Sequence, residues 1–248
     1  MNKLFKLLAK NKRQAQPRQI EMKGDEATLY LYDAIVSDDE TAAWCGGVSA
    51  QSLVPQIRAI KGGTLHLRIN SPGGDVFAAQ AIVAAIRDTG AHVMAHVDGL
   101  AASAATVIAT AADSIEISDG ALYMIHCANM ITWGNAAQMR EQADLLDKVD
   151  GVIVSQYAKR TGQTPEAILA LMQAETWMTA QEAVDAGFAD SVTEPSKVKA
   201  AWDLSVYANA PKQEAQPEPA PPAQPENPYT ARVAALLKRR VTQLATHQ

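Results

Sequence analysis

Three short stretches of this chain carry groups that could act on a carbonyl. Ser103 lies in DGLAASAATVIAT, residues 98–110. It follows AHVMAHV, residues 91–97, in which Val93, Ala95 and Val97 point one way and His92, Met94 and His96 the other, the period of a strand. The small-residue segment after it reads as a buried helix, so Ser103 sits at a strand-to-helix turn. Such a turn lifts a side chain out of the sheet and leaves backbone N–H groups beside it. A serine here can also be a plain helix cap. The second stretch is Ser71-Pro72-Gly73-Gly74, at the end of TLHLRIN (residues 64–70). Adjacent glycines free a backbone to aim N–H groups at a ligand, or simply make a turn. The third is His126, the last residue of the apolar alternation ALYMIH. A hydroxyl needs a base before it attacks, and an imidazole titrates in the range that lets it serve.

These residues need a scaffold that brings chain-distant positions together, and the pattern supplies one. Strand-like runs alternate with helix-like runs: TLHLRIN, then VFAAQAIVAAIRD, then AHVMAHV, a helix, and SIEIS. That rhythm predicts an α/β fold with a mostly parallel sheet. Ligands in such sheets bind beyond the carboxyl ends of the strands, where Gly73-Gly74, Ser103 and His126 all fall. A helix is predicted over 135–160, with Met139, Ala143, Leu146, Val149, Ile153 and Tyr157 as its apolar stripe. Thr179-Ala-Gln-Glu182 has the form of a capping box. His66, His92 and His96 read as structural or surface residues.

Composition bounds the function. Of 248 residues, 48% are apolar, enough for one sizeable core with extensions. The net charge of −5 argues against nucleic acid as a partner. Cys45 and Cys127 form neither a metal-ligand spacing nor a disulfide framework, which points to a reducing cytoplasm and no metal. No apolar run is long enough to span a membrane, and residues 1–22 lack a cleavage site, so they read as a basic solvated extension rather than a signal peptide. Cys127, next to His126 on a strand, is expected to face away from it, buried and inert. Residues 196–228 read as a Pro/Ala/Gln/Glu-rich linker and 229–248 as an amphipathic helix. No Gly-Lys-Ser/Thr follows the glycines, so no nucleotide loop is predicted and no cofactor is called for.

With RINSPGGDVF (68–77), DGLAASAATVIA (98–109), ALYMIHCA (121–128) and ETWMTAQEAVDAGFAD (175–190) in this order, the chain resembles the proteolytic subunit of the Clp protease, and most of all its phage branch of head-maturation (prohead) proteases. The resemblance implies a ClpP/crotonase-like fold of repeated β-β-α units over residues 23–195. It implies a serine endopeptidase with Ser103 as nucleophile, His126 as general base and the N–H groups of Gly74 and Ala104 as oxyanion hole. The third member of the family's triad is an aspartate; the matching position here holds Glu175. The resemblance further implies peptide or protein substrates and a homo-oligomer of stacked rings meeting through the 135–160 helix. Scaffold or capsid protein, or a separate ATP-dependent unfoldase, would be partners. Three other readings compete: a crotonase-like acyl-CoA enzyme, which needs no serine and histidine so placed; a Ser–Lys peptidase, disfavoured because no lysine lies between Gly62 and Lys148; and a non-catalytic assembly scaffold.

Overall fold

The computed structural model describes residues 3–11, 19–196, 198 and 202–211. The chain divides into two compact units, 1–210 and 211–248. Every described strand and helix belongs to the first unit; the helix expected over 229–248 lies outside the described residues.

The elements run α1 (Lys3–Lys10), β1 (Ile20–Lys23), β2 (Glu26–Leu31), β3 (Ile35–Val36), α2 (Asp39–Cys45), β4 (Val48–Ser49), α3 (Ala50–Ala59), β5 (Thr64–Ser71), α4 (Val76–Asp88) and β6 (His92–Ala102). They continue with α5 (Ala104–Ala109), β7 (Ser114–Ser118), β8 (Leu122–Ile125), α6 (Ala136–Thr161), α7 (Pro165–Gln173), β9 (Thr176–Thr179), α8 (Ala180–Asp185) and β10 (Ser191–Thr193). The sheet order is β1-β2-β5-β6-β7-β10, parallel except for the antiparallel β1 edge. Alternation drives its burial: Leu65, Leu67 and Ile69 of β5 and Val93, Ala95 and Val97 of β6 are buried in one core with Ile82, Val83 and Ile86 of α4. The opposite sheet face carries polar pairs. His96 lies between His66 and Glu116, at 3.2 and 3.0 Å, and Asp98 accepts from Tyr32 and Arg68.

One strand organises the end of the sheet that carries Ser103. β6 pairs with β7 over Met94–Val97 and then with β8 over Leu100–Ala102. The sequence pattern ends this strand near residue 97 and starts a helix there; the strand in fact runs to Ala102, and α5 is only six residues long. Pairing with β5 through Ser71 and Ala101, and with β8 on the other side, outweighs the helix preference of Ala101 and Ala102.

α6 matches the predicted helix to within a residue at each end, but only its second half packs on the core. Ile153, Val154 and Tyr157 are buried, while Met139, Leu145 and Val152 are exposed. The basic N-terminal segment also departs from a solvated extension: Leu7 and Leu8 of α1 are buried, Leu7 against Trp202, Leu204 and Tyr207. Those three residues belong to a segment, 202–210, that the sequence assigns to a linker. Its aromatic and aliphatic side chains instead form a second small core with Leu100, Ala102 and Met124.

Candidate active site

Register brings the three stretches together. Ala102 of β6 pairs with Met124 of β8, so Ser103, one residue on, and His126, two residues on, emerge at neighbouring strand ends. Ser71 of β5 faces Ala101, so the following Gly73-Gly74 turn runs beside Ser103. The Ser103 N–H donates to the Met124 carbonyl at 2.9 Å, tying the two strand ends to each other.

Ser103 is half-buried with φ 54°, ψ −124°. Among the described residues only Ser103 and Glu175 are non-glycine residues with positive φ. Such a backbone costs about 1–3 kcal/mol and persists where its surroundings hold it. Here the Thr106 N–H and hydroxyl both donate to the Ser103 carbonyl, at 2.9 and 2.5 Å. The Ser103 side chain caps no helix N–H; its Oγ instead lies 2.7 Å from Nε2 of His126. His126 is the first residue beyond β8, not the last within it, so its imidazole is carried by a loop.

The glycines are required by close approach. At Gly73 (φ +89°) a Cβ would lie 2.5 Å from the Ala102 carbonyl oxygen and 2.8 Å from the Ser103 Cβ; at Gly74 (φ +152°) it would lie 2.1 Å from the Ile35 carbonyl oxygen. Ile35 bridges to this turn through its N–H to the Gly73 carbonyl and its carbonyl to the Asp75 N–H, both 2.9 Å. In such a bridge the residue between the two bonded positions points its own N–H away from the partner strand. The N–H groups of Gly74 and Ala104 have no acceptor among the described residues.

A cavity of about 280 Å³ opens beside Ser103 and His126. Val76, Phe77, Val107, Met130, Ile131 and Ile153 give it an apolar wall. Its one carboxylate, Asp75, is committed to the Ala78 N–H at 2.8 Å as the cap of α4.

Glu175 sits apart from this cavity lining. Its carboxylate accepts from the N–H groups of Asn209 (2.6 Å) and Ala208 (3.0 Å) and from Nε1 of Trp177 (3.3 Å). Cys127, like His126, lies in the loop and is half-buried, so strand alternation does not set its direction. Burial pushes its thiol up to about 12, and the neighbouring Asp150 carboxylate adds to the rise. The sulfur is therefore protonated at neutral pH, which leaves no thiolate nucleophile there.

Sequence reasoning missed Tyr207. Its hydroxyl donates to the Pro72 carbonyl at 2.5 Å, and its ring meets the His126 ring edge-on with centroids 5.4 Å apart. The available signal was WDLSVY (202–207), an aromatic island in a chain with 5% aromatics, just ahead of the Pro-rich stretch.

No helix among the described residues is long and apolar enough to cross a membrane, and no group of His, Cys, Asp and Glu among them could hold a metal ion. A profile of the family described as Clp protease matches residues 45–196. The ATP-dependent Clp protease proteolytic subunit of Streptococcus pneumoniae (strain Hungary19A-6) is 35% identical over 132 residues, which cover 52% of this chain and 67% of the relative. The subunit of strain CGSP14 matches to the same extent. Among solved structures, a ClpP1 mutant from Listeria monocytogenes is similar with a TM-score of 0.56 at 24% identity, covering 67% of this chain and 91% of that one, a likeness that speaks for the fold. With a ClpP-like α/β fold and more than half of its length inside the family match, the chain belongs to the Clp protease family.

Proposed function

We propose that this chain is a serine endopeptidase of the ClpP type. The observation that carries the reading is the 2.7 Å approach of Ser103 Oγ to His126 Nε2 at the mouth of an apolar cavity. His126 takes the hydroxyl proton as Oγ attacks the scissile carbonyl carbon. The Gly74 and Ala104 N–H groups receive the oxyanion of the tetrahedral intermediate. His126 then returns the proton to the leaving amine, and water, deprotonated by the same imidazole, releases the acyl group. Glu175, which stands where the family's triad has aspartate, acts from outside the cavity lining, through its bonds to the Ala208 and Asn209 N–H groups.

The cavity sets a preference. Val76, Phe77, Val107, Met130, Ile131 and Ile153 offer a charge no partner, and burying an unpaired carboxylate against them is costly. Fluorogenic peptides with leucine or methionine before the scissile bond are expected to be cleaved with kcat/KM at least about 10²-fold above the same peptides with aspartate there. Equal rates for both, or no cleavage of any, would count against the reading.

Scaffold or capsid protein of an assembling phage head is the natural substrate we propose, on the motif resemblance to head-maturation proteases, with the host cytoplasm as the setting. Met130, Ile131 and Trp133, the last 84% exposed, lie just before α6, whose Met139 and Leu145 are exposed too. Such a patch marks an interface, and we assign it to a second copy of this chain in a homo-oligomer. Sedimentation of the full chain should show an assembly; a monomer at micromolar concentration would contradict this.

A further inference from the structure

Residues 202–210 lie beyond the stretch matched to the Clp protease family, yet they are built into the catalytic end of the fold. We propose that Tyr207 is a positioning residue for His126, and that Glu175 acts on the site by clamping the segment that carries Tyr207. The proposal rests on the peptidase reading above.

His126 lies just past the end of β8, and its Nε2 meets Ser103 Oγ. Tyr207 is nearly fully buried, and its ring stands edge-on to the imidazole, with planes at 88°. The ring also packs edge-on against Trp177, centroids 5.7 Å apart. The hydroxyl of the same residue donates to Pro72, the carbonyl just before Gly73-Gly74. One side chain thus touches both the imidazole and the turn that carries the Gly74 N–H.

The segment is anchored at both ends. Upstream, the buried Trp202 donates from Nε1 to Asn70 Oδ1 at 3.0 Å. Downstream, the two N–H groups that follow Tyr207 both donate to the Glu175 carboxylate, and Asn209 Nδ2 donates to the Ala174 carbonyl at 2.8 Å. Charge-assisted bonds of this kind are stronger than neutral ones. Glu175 itself has a positive φ, 49°. Tyr207 also lines the cavity beside Ser103.

The test uses full-length wild type, Tyr207→Phe, Tyr207→Leu, Tyr207→Ala, Glu175→Gln and the Glu175→Gln/Tyr207→Ala double variant, with rates normalised to folded protein. Tyr207→Ala and Tyr207→Leu are expected to lose about 10²-fold in kcat with KM little changed, the loss typical of a small misplacement of a reacting group. The acidic limb of the pH–rate profile should move with them. Tyr207→Phe keeps the ring edge and should recover most of the loss. Glu175→Gln should lower kcat in the wild-type background and add nothing in the Tyr207→Ala background, because both act through one element. Wild-type kcat and pH profile in Tyr207→Ala and Tyr207→Leu would overturn the proposal, and a raised rate would make the segment an occluding strap. Multiplying losses in the double variant would show that Glu175 acts without Tyr207. If wild type itself neither cleaves peptides nor reacts at Ser103, the peptidase reading falls and this proposal with it; cleavage by wild type beside unaffected Tyr207 variants sinks the proposal alone.

Discussion

Replacing Ser103 by alanine is expected to lower peptide turnover by about 10⁶-fold, as loss of the nucleophile does where serine and histidine act as a unit. The fold should survive. Ser103 Oγ caps no helix, and it hydrogen-bonds to the imidazole of His126. The backbone bonds that hold the positive φ, from Ser103 N–H to Met124 and from Thr106 to the Ser103 carbonyl, remain in the variant. The change in stability should therefore stay near about 1 kcal/mol, that of one hydrogen bond. Circular dichroism and thermal melting check the fold, and a peptide assay checks turnover. Wild-type turnover in a well-folded variant would remove Ser103 from the mechanism.

Gly74→Ala should produce the second large effect through geometry alone. The added Cβ would lie 2.1 Å from the Ile35 carbonyl oxygen, 2.7 Å from its nitrogen and 2.8 Å from its carbonyl carbon. All three are backbone atoms, so no rotamer change relieves the clash, and the turn has to move. Moving it breaks the bridge to Ile35 and withdraws the Gly74 N–H from the position proposed for the oxyanion. Loss of one oxyanion donor costs about 10²–10³ in turnover. Gly62→Ala is the control: its φ is +63°, but nothing lies within 4 Å of a Cβ there. That variant should keep its activity and lose about 1 kcal/mol of stability from the backbone alone. Equal turnover in Gly74→Ala and wild type would contradict the role given to this turn.

The parts of the site at the ends of β5 and β8 were legible in the sequence, because period-two alternation marks where these two strands stop to within a residue. Thr64 to Asn70 and the ALYMIH run placed Gly73-Gly74 and His126 at carboxyl ends, and a parallel sheet gathers those ends. Two features were not legible. Alanine-rich sequence after Asp98 has helix propensity, and only pairing with β5 and β8 on both sides makes it strand as far as Ala102. Nor does local pattern report a contact made across more than 80 residues. Tyr207 reaches His126 from beyond a stretch rich in lysine and alanine, where composition alone suggests a linker. Glu175 shows the same limit: its position is fixed by sequence spacing, while its partners Ala208 and Asn209 come from that distant segment.

The most direct test of the central claim, that Ser103 and His126 form an activated nucleophile, is covalent labelling with a fluorophosphonate. Serine Oγ attacks phosphorus and fluoride leaves, so each reacted chain gains one phosphonyl group in place of a proton. Intact mass followed by peptide mapping should find a single adduct, on Ser103, absent from Ser103→Ala and formed far more slowly in His126→Ala. An unlabelled wild-type protein, or an adduct on any other residue, would contradict the account.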